Sequence, residues 1–186
     1  MLCLLAAAFA FAFGTAHADP ALVKDINPGA SNSGSDEFVN VNGTLFFCAN
    51  EGTNGYELWQ SDGTSAGTTL VKDIISGSSG AYPSSLTNVN GTLFFTSYNS
   101  ATGSELWKSD GTAAGTALVK DINTTANTGS SLASLTAIGS TLYFSATDAT
   151  TGAELWKSDG TTLGTVQVLD IFAGASSSAP SLLVNA

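Results

Sequence analysis

Apolar residues in this chain come in short runs, broken at regular intervals by glycine, asparagine, aspartate and serine. The stretch from 86 to 122 shows the order. "LTNVNGTLFFTS" sets two apolar runs around Asn90-Gly91. That pair predicts a hairpin, because a type I′ turn needs positive φ at both central positions. Asn42-Gly43 repeats the device, and Gly139-Ser140 replaces it further on. "TLFF" is apolar on both faces, as expected of an inner strand covered on two sides. A polar loop, "YNSATG", leads to a third strand, "SELWKS". Asp110-Gly111 and Gly115-Thr116 turn the chain back, and "ALVKDI" is the fourth strand. Loops rich in Ser and Gly, with Pro83 or Pro180, separate one such unit from the next.

The pattern recurs in register. Trp59, Trp107 and Trp156 stand 48 and 49 residues apart, and Asp25, Asp73, Asp121 and Asp170 stand 48, 48 and 49 apart. Three full units follow, at about 38–74, 86–122 and 135–171. Partial repeats flank them, "LVKDI" at 22–26 and "PSLLVNA" at the end. Four antiparallel strands in such a period match a propeller blade, which runs ~40–50 residues. The expected fold is all-β, built of tandem four-stranded antiparallel repeats in a β-propeller-like array. The alternative is an open β-solenoid. A lone unit has two bare faces, so neighbours must stack, with Phe94-Phe95 and the Trp as packing material. Propellers close with ~4–8 blades, and three leave an incomplete ring. A piece of a longer protein is the favoured expectation, ahead of a ring shared between chains or an open array.

Glu-Leu-Trp-x-x-Asp-Gly-Thr, then x-x-Gly-Thr and a Val-x-Asp-Ile strand, resembles the ELWxxDGT repeat family of bacterial exported and surface proteins. The resemblance covers residue 22 to the C-terminus. It implies a propeller-like fold and more repeats than are present here, and it implies no particular chemistry. Leu169 departs from the pattern, standing where other units have Lys24, Lys72 and Lys120. A contact that needs this lysine in every unit is therefore not expected.

The start, "MLCLLAAAFAFAFGTAHA", reads as a secretion signal over residues 1–18, with the cleavage pattern Ala16-His17-Ala18. No Lys or Arg precedes its apolar run, which is short of the ~20 residues that span a bilayer. The chain left after cleavage is expected to be secreted or held at the cell surface, not membrane-spanning. It would keep one cysteine, Cys48, at a position where the other units carry Thr96 and Ser145. A small residue buried in a strand fits all three.

Composition narrows the chemistry. The formal net charge is −10 and there is no Arg, so nucleic acid and anionic lipid are unsuitable partners. Without His after the signal, Ser-His-Asp and Cys-His catalysis fail, as do histidine zinc sites. No cofactor loop of Walker or Rossmann type is present, and no cofactor is expected. Of fifteen acids, ten belong to the repeat: Glu57, Glu105 and Glu154; Asp62, Asp110 and Asp159; Asp25, Asp73, Asp121 and Asp170. Asp19, Asp36, Glu37, Glu51 and Asp148 fall outside it.

The "SDGT" aspartates invite a calcium reading, but one carboxylate per turn is better read as capping its own backbone. Asp121 is expected to bond turn N–H groups of an adjoining unit. Each Trp is a sugar platform or, preferably, a residue packed between units with its N–H satisfied by a neighbour. No catalytic, metal or cofactor residue is assigned. The reading is a non-enzymatic scaffold, adhesion or binding module for an unknown protein or carbohydrate ligand, with self-association or further repeats open. The alternative is a polysaccharide-acting enzyme, a carboxylate glycosidase or lyase, in which Asp36, Glu37, Glu51 or Asp148 converge in one cleft.

Overall fold

A computed structural model describes residues 20–29 and 31–185. The expected signal, 1–18, and Asp19 lie outside the described residues. Twelve strands and no helix occur among them. They form three antiparallel sheets of four consecutive strands. The first holds β1 (Asp36–Val41), β2 (Thr44–Asn50), β3 (Tyr56–Ser61) and β4 (Thr69–Lys72). The second holds β5 (Ser84–Val89), β6 (Thr92–Asn99), β7 (Gly103–Ser109) and β8 (Ala117–Lys120). The third holds β9 (Ala133–Ile138), β10 (Thr141–Thr147), β11 (Ala153–Ser158) and β12 (Val166–Leu169). The first strands of successive sheets lie side by side, β1 by β5 and β5 by β9. No strand pairs between sheets.

The hairpins follow from their residues. Asn42 and Gly43 have φ of 52° and 90°, and Asn90 and Gly91 have 48° and 88°. Both central residues are left-handed, as a type I′ turn requires. In the third sheet Gly139 has φ 60° and Ser140 is not left-handed, the pattern of a type II′ turn.

Each second strand sends one ring to each neighbour, because successive side chains alternate faces. At the first junction Phe46, Leu58 and Val71 meet Leu93, Phe95 and Trp107. At the second, Phe94, Leu106 and Val119 meet Leu142, Phe144 and Trp156. The core thus lies between sheets rather than inside any one. Each fully buried ring contributes about 2–3 kcal/mol.

Polar ties cross the same junctions. Lys72 Nζ donates to the Thr116 carbonyl at 2.7 Å, and Lys120 Nζ to the Thr165 carbonyl at 2.8 Å. Lys24, in the segment before β1, makes the same bond to the Thr68 carbonyl at 2.7 Å. Lys24 and Lys120 also lie over the Trp59 and Trp156 rings. The lysine is a junction residue: it serves the sheet that follows it. Leu169 has no following sheet among the described residues. Residues 22–26 carry a fourth-strand sequence but form no strand; they reach the first sheet through this lysine and through Ile26, which packs against Phe47, Ala49 and Trp59.

Each first strand begins slightly before its apolar run, at Asp36, Ser84 and Ala133. A register shift breaks its pairing with the second strand. Glu37, Ser85 and Ser134 sit in these bulges with φ of 57°, 55° and 56°. None is glycine, so no residue type announces the left-handed conformation there. An L side chain there costs about 1–2 kcal/mol, against 0.5–1 kcal/mol for the extra chain entropy of glycine. Ser85→Gly is therefore expected to raise stability by roughly 0.5 kcal/mol. The urea midpoint should move up at unchanged slope; an unchanged or lower midpoint would show that the bulge is unstrained.

Candidate functional site

The most demanding groups are the repeated glutamates. Glu57, Glu105 and Glu154 are wholly buried. Each lies near the start of the third strand of its sheet, under the segment that leaves the fourth strand. Glu57 accepts the N–H groups of Ile74 and Ile75, where the crossover starts, and of Ala81, where it ends. Glu105 accepts the N–H of Ile122 and Asn123 and the hydroxyl of Ser130. Glu154 accepts the N–H of Ile171 and both the N–H and the hydroxyl of Ser178. Ala81 in turn bridges the sheets: its N–H donates to the Tyr56 carbonyl, and its carbonyl accepts the Tyr98 N–H. The sequence marked these acids only as repeated. Their position on an inner strand, each just before a Leu-Trp pair, was the available signal.

Burial pushes Glu57 up to about 7, against its three N–H bonds and with help from Asp73. Burial also raises Glu105 despite the bonds from Ser130, Ile122 and Asn123. Burial pulls Glu154 upward too, but the Ser178 hydroxyl and the N–H groups of Ser178, Ile171 and Phe172 outweigh it, and its pKa falls. No sheet packs beyond it among the described residues.

The turn aspartates cap their turns. Asp62 Oδ1 accepts the Thr64 N–H at 2.9 Å and its hydroxyl at 2.7 Å. Asp110 and Asp159 do the same with Thr112 and Thr161. The adjacent Gly N–H goes to the preceding Ser hydroxyl instead. Gly67, Gly115 and Gly164 lie so close to these carboxylates that a Cβ would collide with them. The Thr bonds hold Asp62, Asp110 and Asp159 below the usual carboxylate range. No group of three or more His, Cys, Asp or Glu among the described residues is placed to hold a metal ion.

Two expectations are corrected. Trp107 and Trp156 pack between sheets and Trp59 packs against Ile26 of the segment before β1, but the indole Nε1 of each is buried with no acceptor among the described residues. Among the described residues Asp73 and Asp121 make no bond to the adjoining unit, and one oxygen of each is buried and unpaired. The neighbouring lysine makes that crossing instead, because its longer side chain reaches the next sheet.

The unrepeated acids divide. Glu51 bonds Thr53 and Asn54 in its own loop. Asp148 bonds Thr150 and Thr151 in the third sheet's loop. Among the described unrepeated acids only Asp36 and Glu37 share a cleft, of about 320 Å³, with Cys48, Tyr56, Tyr82, Pro83 and Ser84. It opens between the first and second sheets. The Tyr56 and Tyr82 rings stack at 5.7 Å between centroids and 26° between planes, and Tyr82 is exposed. Glu37 Oε2 accepts the Leu86 N–H at 3.4 Å. At the base, burial first, then the charges of Asp36, Glu57 and Glu37, push the Cys48 thiol up to about 12. Such a thiol is protonated and a poor nucleophile. At the second junction the repeat puts Ser104 and Ser131 where the tyrosines stand, and Ser84 and Ser85 where the acids stand. The cleft is thus specific to the first junction.

No protein-family model matches the chain, and a search among curated proteins finds no match. No helix among the described residues is long and apolar enough to cross a membrane.

Glu105→Ala would leave two N–H groups and one hydroxyl buried without an acceptor, at about 1–3 kcal/mol each. After relief of the carboxylate's own burial, a loss on the order of 3 kcal/mol is expected in urea unfolding; a loss below ~1 kcal/mol would show that the crossover holds without it.

The pH dependence has two limbs. Glu57 is raised from 4.5 to about 7, so its contribution is full below 4.5 and is lost as pH rises towards 7. Asp62, Asp110, Asp159 and Glu154 are lowered, so theirs is lost as pH falls through their folded values. The urea midpoint should therefore decline from pH 5 to pH 8, a decline that Glu57→Gln should flatten.

Proposed function

We propose that this chain is a non-enzymatic exported repeat protein of the ELWxxDGT type, a binding or adhesion module in which propeller-type blades carry a carbohydrate site. The observation that carries this reading is the cleft at the first junction. The Glu and the turn Asp of every unit are engaged in holding backbone. Residues used in that way are not free to meet a substrate. Of the acids that break the repeat, Asp36 and Glu37 gather beside a stacked tyrosine pair whose Tyr82 is exposed. A flat aromatic face flanked by carboxylate acceptors suits a neutral sugar, whose C–H face stacks and whose hydroxyls donate. The scatter of Glu51 and Asp148 over separate loops supports binding over hydrolysis.

Export fits a scaffold that meets its ligand outside the cell, and the side-by-side first strands fit blades set around an axis. The test is a screen of neutral glycans against the chain recovered after export, with the products analysed by chromatography. The expected result is binding without cleavage, weakened at least about tenfold by Tyr82→Ala, the ~1.4 kcal/mol of a lost aromatic contact. Cleavage of any glycan would favour the enzyme reading. Binding that Tyr82→Ala leaves intact would move the site elsewhere.

A further inference from the structure

The ends of the array carry the two halves of a junction that the middle uses twice. At each internal junction one sheet offers apolar side chains and the next receives them. The offering residues are Val41, Phe46, Leu58 and Val71, then Val89, Phe94, Leu106 and Val119. In the third sheet the repeat puts Ile138, Tyr143, Leu155 and Val168 in those places. Val168 is 45% exposed where Val119 is 3%, and Ile138 is 42% where Val89 is 3%. The receiving positions, Leu86 and Leu93 in the second sheet, correspond to Phe38 and Leu45 in the first. Phe38 is 58% exposed where Leu86 is 7%, and Leu45 is 37% where Leu93 is 0%.

The polar half of the junction is also split between the ends. Lys108 Nζ donates to the Gly160 carbonyl at 2.8 Å, and the Phe94 ring lies against Gly160. Phe46 and Gln60 flank Gly111 in the same way. The third sheet carries Tyr143 and an exposed Lys157 at those positions. The first sheet carries the matching Gly63, with open space over its Cα.

We propose that the exposed face of the third sheet docks onto the first sheet of a second copy of this chain. The occupant follows from continuity: the contact is the internal junction used once more, with Lys157 reaching the Gly63 carbonyl and Tyr143 covering that glycine. A face that meets a different face is heterologous, so it either closes a ring or propagates. Two chains supply six sheets, within the ~4–8 of closed propellers. Residues 22–26 hold the place that the docked copy's last strand takes. Lys24 ties them to Thr68, while Leu22 and Val23 are exposed. Docking exchanges Ile26, which packs against Phe47 and Trp59, for the docked copy's Ile171, which is 54% exposed, and Leu169 of the docked copy takes the place of Lys24. The net charge of −10 on each copy opposes the contact at low ionic strength, so salt strengthens it.

Sedimentation velocity on the chain recovered after export, across a concentration series at about 0.15 M salt, tests this. The expected result is a two-chain species or a head-to-tail series. Val168→Lys blocks the offering face and Leu45→Lys the receiving face. Each should weaken association at least about tenfold by burying an unpaired charge. Mixed in equal amounts, the two variants should form a heterodimer, because each retains the face that the other lacks. Ile138→Lys replaces Val168→Lys if circular dichroism shows that variant to be unfolded. A chain that stays monomeric throughout, an association that neither variant weakens, or a mixture that does not pair overturns the proposal.

Discussion

A carboxylate buried at the start of each third strand is the constraint on which the rest depends. A four-stranded meander ends far from where the next must begin, and the crossover between them has no ladder of its own. Its N–H groups still need acceptors. Glu57 and Glu105 supply them, reaching both ends of each crossover at once, and Glu154 holds the segment after β12 in the same way. With the crossover pinned, Ala81 can bond Tyr56 on one side and Tyr98 on the other. Burying an acid is costly, and the raised Glu57 and Glu105 register that cost.

From that pinning the stacking follows. Each sheet presents apolar side chains on both faces and cannot stand in water alone. The paired aromatics of the second strands face opposite ways, so one sequence unit fills half of two junctions. Lysine and the turn glycine add a polar tie at the rim. Repetition makes these junctions alike, and what differs between them stands out. The first junction holds Tyr56, Tyr82, Asp36 and Glu37 where the second holds serines.

The sequence by itself determined the strand count per unit, the antiparallel meander, the Asn-Gly hairpins, the capped "SDGT" turns and the packing of Trp between units. These depend on residues close in the chain or on the alternation of side chains along a strand. The bulges at Glu37, Ser85 and Ser134 were hidden, because nothing in a polar residue announces a positive φ. Tertiary structure alone decided the rest. The glutamates find donors 17 to 25 residues away, and the lysines find carbonyls 44 to 52 away. Asp36 and Glu37 meet Tyr82 only because a crossover brings the second sheet beside the first. Asp121, which the sequence favoured for the crossing, lost it to its neighbour Lys120, whose side chain is long enough to reach the next sheet. A partner that distant is fixed by how sheets stack, and stacking is a property of the assembled core rather than of any local run of residues.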